Sequence, residues 1–116
     1  MHLALIILAT LLGIAATGSG LAKITKQASV LETLSHVGVK SEHIPLLGGL
    51  ELAGALGLFM GIWITPLGIA AAIGLLLYFL GAVLAHVRKH DGAGEIGPAF
   101  VLFIVAAVTV VLEFNR

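Results

Sequence analysis

The sequence predicts an all-α integral membrane protein: a bundle of four transmembrane helices, with an amphipathic segment between helices 1 and 2, in a single domain over residues 1–116. Three observations predict it. Of 116 residues, 59% are hydrophobic and 10% charged, and the mean hydropathy is +1.16. A soluble domain carries about 25% charged residues, and a chain this short leaves much of its surface in water. Four apolar runs, residues 1–22, 44–64, 67–87 and 98–114, are each close to the ~20 residues that cross ~30 Å of hydrocarbon as a helix. None alternates with period two, so helices rather than a barrel satisfy the backbone in lipid.

The first run has no basic start and is longer than the usual apolar stretch of a secretory signal, so it is expected to stay as a span. Between it and the second run, Ile24, Ala28, Leu31 and Leu34 recur at helical spacing with polar residues between them. Residues 25–37 read as an interfacial amphipathic helix or a continuation of the first helix, ended by Gly38; a plain polar connector is the alternative. Only Thr65 and Pro66 separate the second and third runs. A proline is tolerated at a helix start, so a tight antiparallel hairpin is expected there. Residues 88–97 are polar and glycine-rich, and Pro98 is expected to open the last helix.

Six basic residues balance six acidic ones. A net charge of zero offers no surface for nucleic acid. There is no cysteine, which excludes disulfides and thiolate chemistry within this chain. The first and third loops carry Lys23, Lys26, Lys40, Arg88 and Lys89, and the other side only Arg116. This bias predicts cytoplasmic long loops and external termini, and argues against an inverted dual-topology dimer; the membrane is expected to be a bacterial inner membrane.

An ionisable side chain within a span is a functional candidate, because lipid makes it expensive. Glu51 lies seven residues after Ile44, roughly 10 Å below the loop side. Lys23 ends the first helix, His86 and Arg88 end the third, and Glu95 precedes the fourth. In an antiparallel bundle all of them approach one membrane face. The expectation is a polar cluster with Glu51 at its floor. Glu51 is either an ion-pair partner of Lys23, Arg88 or a neutral His86 that fixes helix register, or a ligand or proton site. Lys23 either pairs with it or snorkels to the interface. No cofactor is certain; a quinone or a lipid is the class such a pocket would take. No haem is expected, because only His86 approaches the bundle interior. Near the opposite face, Glu113 and Arg116 are spaced for a local pair, and Trp63 reads as an interfacial anchor.

Small residues let helices approach closely in lipid. On the second helix Gly54, Gly57 and Gly61, with Ala55 and Leu58, are expected to pack inside the bundle. On the third, Gly74, Tyr78, Gly81, Ala82 and Ala85 are expected to do the same, and on the first Gly13 and Gly20.

The run Leu46-Leu47-Gly48-Gly49-Leu50-Glu51-Leu52-Ala53-Gly54-Ala55-Leu56-Gly57-Leu58 resembles the second-helix motif of the DoxX-like family. Ala71-Ala72-Ile73-Gly74-Leu75, continuing to Gly81-Ala82-Val83-Leu84-Ala85-His86-Val87-Arg88, is similar to its third helix, and Gly20-Leu21-Ala22-Lys23-Ile24 to its first-helix ending. The region Lys40–Pro45 also looks like the family's short pre-helix segment. The resemblance spans nearly the whole chain in the right order. It implies a four-helix bundle of the DoxX/DoxD group. That group includes a subunit associated with thiosulfate:quinone oxidoreductase, members linked to oxidative-stress complexes, and an animal chaperone of receptor assembly. The matching polar positions are Lys23, Glu51, His86 and Arg88; the resemblance assigns them no reaction.

Three functions follow as expectations. The first is a non-enzymatic accessory or assembly subunit of a larger membrane complex, with other membrane-protein subunits or copies of itself as partners. The second is a quinone- or lipid-binding redox subunit with a polar pocket around Glu51 and His86. The third is a small proton-coupled transporter. No catalytic constellation is present, so catalysis by the chain alone is not expected.

Overall fold

The computed structural model describes residues 3–25, 32, 34–36, 38, 41–89 and 93–116. Four helices dominate: α1 (Leu3–Ile24), α2 (Ile44–Gly61), α3 (Thr65–Arg88) and α4 (Ala93–Phe114). A 3-10 turn, Ser41–His43, leads into α2. All four helices are long and apolar enough to cross a membrane. No strand is found among the described residues.

Most of the amphipathic segment expected at residues 25–37 lies outside the described residues. Within it, Glu32 and residues 34–36 are helical. Gly38 follows with φ 91°, the left-handed geometry that glycine adopts at helix ends. Its N–H donates to the Ser35 carbonyl at 3.1 Å.

Two helix boundaries differ from expectation. The apolar residues Ile62, Trp63 and Ile64 belong to the turn, and α3 begins at Thr65 with Pro66 in its first turn. Hydropathy could not separate this turn from the spans, because its residues are as apolar as theirs. At the other end of the chain, α4 starts at Ala93, so Pro98 lies inside the helix. It removes one rung of the ladder near the helix start without ending it.

Each helix packs antiparallel on the next, and α4 closes the ring against α1 through the smallest contact. Between helices in lipid there is no hydrophobic drive, so close packing and polar ties must supply the association. Gly20 on α1 faces Gly48 on α2: a Cβ added to Gly20 would lie 2.8 Å from the Gly48 carbonyl oxygen, and one on Gly48 would lie 2.6 Å from that of Gly20. The two backbones touch there. On the α2–α3 interface, Gly54 receives the Leu75 side chain, Gly57 receives Ala71, and Gly61 meets the backbone of Gly68. Gly13 receives the Phe59 ring. The centre is filled by Leu12, Ala16, Ala55, Leu58, Ala72, Leu75, Phe79 and Ala106.

Gly74 and Gly81 depart from expectation. Both are exposed, and a Cβ on either would meet no atom within 4 Å. The inner face of α3 is instead Gly68, Ala72, Leu75, Phe79 and His86. The middle of the bundle is wide enough to need Leu75 and Phe79, which turns the glycine face outward.

Candidate functional site

Glu51 is fully buried. Its position follows from the crossing of α1 and α2. Lys23 and Glu51 each stand three residues after a glycine of that crossing, Gly20 and Gly48. Side chains on a helix lean toward its N-terminus. Lys23, near the end of α1, therefore leans back into the membrane toward the level of Glu51. Its Nζ lies 2.5 Å from Glu51 Oε1. One turn earlier on α1, Ser19 accepts a hydrogen bond from Lys23 Nζ at 2.6 Å and donates to Glu51 Oε1 at 3.1 Å. From α3, the Tyr78 hydroxyl donates to the same oxygen at 3.0 Å. Lys23 Nζ also lies 5.9 Å from the centre of the Tyr78 ring, within reach of a cation–π attraction.

The network joins α1, α2 and α3 through one carboxylate oxygen. The other behaves differently. Glu51 Oε2 is buried, and among the described residues no donor reaches it. Most buried polar atoms have a partner, so an orphan of this kind calls for a chemical explanation.

Of the four polar positions singled out in the sequence, Lys23 and Glu51 meet. His86 is buried but lies eight residues beyond Tyr78 on α3, roughly 12 Å along the axis. Arg88 is exposed as the last residue of α3. The donors that complete the Glu51 site are instead Ser19 and Tyr78. Tyr78 was visible as the sole tyrosine, inside a span where its hydroxyl needs a partner. Ser19 was visible only as the i−4 neighbour of Lys23.

A second polar group ties the opposite end. Glu113 on α4 is buried, and its carboxylate lies against Gly68, where a side chain would collide with it. Arg116 Nε forms an ion pair with Glu113 Oε1 at 3.3 Å, as the spacing predicts, without hydrogen-bond geometry at that oxygen. The same guanidinium donates to the Gly61 carbonyl at 2.6 Å and to Thr65 Oγ1 at 2.8 Å. It thus places positive charge at the end of α2, where the helix dipole is negative. Glu113 places negative charge near the start of α3, where it is positive.

Between α2 and α3, on the outside of the bundle, runs an open apolar groove of about 540 Å³, lined by Leu50, Gly54, Gly57, Ala71, Gly74 and Tyr78 among others. Tyr78 belongs both to this groove and to the Glu51 network.

No curated protein and no solved structure shows a significant similarity to the chain. The model of the DoxX-like family matches residues 7–108, from the first turns of α1 to the last turns of α4 and through every member of the Glu51 network. This four-span integral membrane protein belongs to the DoxX-like family.

Proposed function

We propose that the chain is a non-enzymatic accessory or assembly subunit of a larger complex, set in a bacterial inner membrane with both long loops cytoplasmic. One observation carries this reading. On the outer face of α3, Ala70, Gly74, Leu77, Gly81 and Leu84 are all exposed, at spacings of four, three, four and three residues. That is the heptad spacing of a helix–helix seam. Among the described residues no atom lies within 4 Å of a Cβ added to either glycine, and glycines in a lipid-facing seam let another helix approach closely. The occupant is a helix of another subunit or of a second copy.

The test is native mass spectrometry after extraction in mild detergent. Wild type should carry a stoichiometric partner, and the double variant Gly74→Leu, Gly81→Leu should lose it. Both sites have room for leucine, so thermal stability of the chain should hold. Recovery of wild type as a lone protomer, or full retention of the partner by the variant, would refute the proposal.

A second reading is favoured by the orphan Glu51 Oε2: a quinone- or lipid-binding redox subunit, with Tyr78 rather than His86 beside the acid. Extracted protein should then contain such a molecule, and Glu51→Gln should lose it. A small proton-coupled transporter has less support, because Lys23 already pairs with Glu51.

A further inference from the structure

The outer seam of α3 carries both halves of a helix–helix joint. Its glycines, Gly74 and Gly81, and its leucines, Leu77 and Leu84, each recur after seven residues. Leu77 and Leu84 are 60% and 57% exposed, so they project from the bundle as knobs. Among the described residues nothing lies within 4 Å of a Cβ added to Gly74 or Gly81, so the surface beside each knob is open. In a heptad seam a knob enters a hole formed by four residues of the facing helix. For Leu77 those four, on a second α3, are Gly74, Leu77, Tyr78 and Gly81. Gly74 and Tyr78 also line the groove between α2 and α3, which deepens that hole.

Direction follows from charge. Every copy has the same basic bias in its loops and so crosses the membrane the same way round. Two copies meeting through this seam are then related by a two-fold axis along the membrane normal, and each residue meets its own counterpart. Ala70, Gly74, Leu77, Gly81 and Leu84 are all apolar, so nothing along them repels an identical seam. The next heptad position is Arg88, exposed at the end of α3. Two guanidinium groups stand level there and repel, weakly because water reaches them.

We propose that the partner on the outer face of α3 is a second copy of this chain, packed parallel through Gly74, Leu77, Gly81 and Leu84. This rests on the subunit reading of that seam and names its occupant.

Self-association of the full chain in phosphatidylcholine vesicles tests it. The chain has no cysteine, so each introduced one reports on a single position. Energy transfer between copies labelled at Asn115→Cys, an exposed position, should exceed that of random mixing and fall with added lipid along a monomer–dimer curve. Gly81→Leu should weaken the dimer roughly tenfold or more, as overpacking does. Arg88→Gln should tighten it about two- to fivefold, because the repelling pair is gone; an antiparallel pair gains nothing from that change. On oxidation, Leu84→Cys should cross-link to itself well above Leu21→Cys, which is exposed near the same membrane face on α1. Leu84→Cys and Arg88→Gln alter only exposed side chains, so the proposal stays testable even where Gly81→Leu fails to fold. Transfer at the level of random mixing, or cross-linking at Leu84 no better than at Leu21, overturns the second copy as occupant. No gain from Arg88→Gln overturns the parallel packing. If a different subunit is then found by native mass spectrometry and is lost from Gly74→Leu, Gly81→Leu, the subunit reading stands without this proposal. Neither self-association nor such a subunit overturns both.

Discussion

Replacing Gly48 with alanine adds one methyl group at the point where α1 and α2 cross. That carbon would sit 2.6 Å from the Gly20 carbonyl oxygen, 2.9 Å from Ile24 Cγ1 and 3.0 Å from Lys23 Cβ. Unstrained carbon contacts lie at about 3.5–4.0 Å, so α1 must retreat by nearly 1 Å. Two of the obstructing groups belong to helix backbone or Cβ and cannot swing aside as a side-chain tip would. Overpacking of this kind costs about 1–3 kcal/mol. The retreat also draws Lys23 away from Glu51, since both follow the crossing by three residues. Alanine brings an opposing gain in helix propensity of up to about 1 kcal/mol. Gly49→Ala isolates that gain, because a Cβ at Gly49 meets nothing within 4 Å. The assay is denaturant unfolding of both variants in one mild detergent, followed by circular dichroism. Gly48→Ala should fall below Gly49→Ala by about 1–3 kcal/mol. Equal stability of the two would refute the backbone-contact account of the α1–α2 crossing.

Other consequences are equally open to measurement. Lys23→Met or Glu51→Gln alone should destabilise the chain by roughly 3–5 kcal/mol, because each leaves a buried partner uncompensated. The double variant should recover most of that loss, and a thermodynamic cycle with no coupling would count against the pair. Tyr78→Phe should cost about 1–2 kcal/mol, between the values for hydrogen bonds to charged groups and those measured within membranes; an unchanged unfolding midpoint would place the hydroxyl outside the network. Arg116→Ala should speed hydrogen exchange in the Gly61–Thr65 turn, and Arg116→Lys should restore little of the protection, because one ammonium cannot reproduce the planar fork that reaches Gly61, Thr65 and Glu113 together.

Depth was legible in the sequence and rotation was not. Counting from Ile44 puts Glu51 below the membrane face. Antiparallel packing brings Lys23 to the same end, and the two do meet. Height alone also brought His86 and Arg88 toward that end, but it could not say which residue of α3 stands level with Glu51. The α2–α3 register is set at the turn, where Gly61 meets Gly68. Counting back from that contact brings Tyr78 to Glu51. The outward turn of Gly74 and Gly81 was hidden for a related reason. A line of small residues suits a neighbouring helix of the same chain and a partner from outside equally well. Only the bulk of Leu75 and Phe79 decides which face of α3 fills the centre. Ser19 carried a weak signal, because a serine in an apolar helix often bonds its own backbone, as Thr17 does with the Gly13 carbonyl at 2.7 Å.

The distribution of polar ties gives the ring of helices a direction in which it can open. The Glu51 network binds α1, α2 and α3 at one end, and Arg116 binds α2, α3 and α4 at the other. Among the described residues no polar bond joins α1 to α4, the ring neighbours with the smallest contact. The bundle is therefore less a closed barrel stave than a belt left unbuckled. Swinging α1 from α4 breaks none of the polar ties described above, and lipid replaces apolar contacts at little cost. Among the described residues that edge of the ring has no hydrogen bond to break, and it is there that the ring parts most readily.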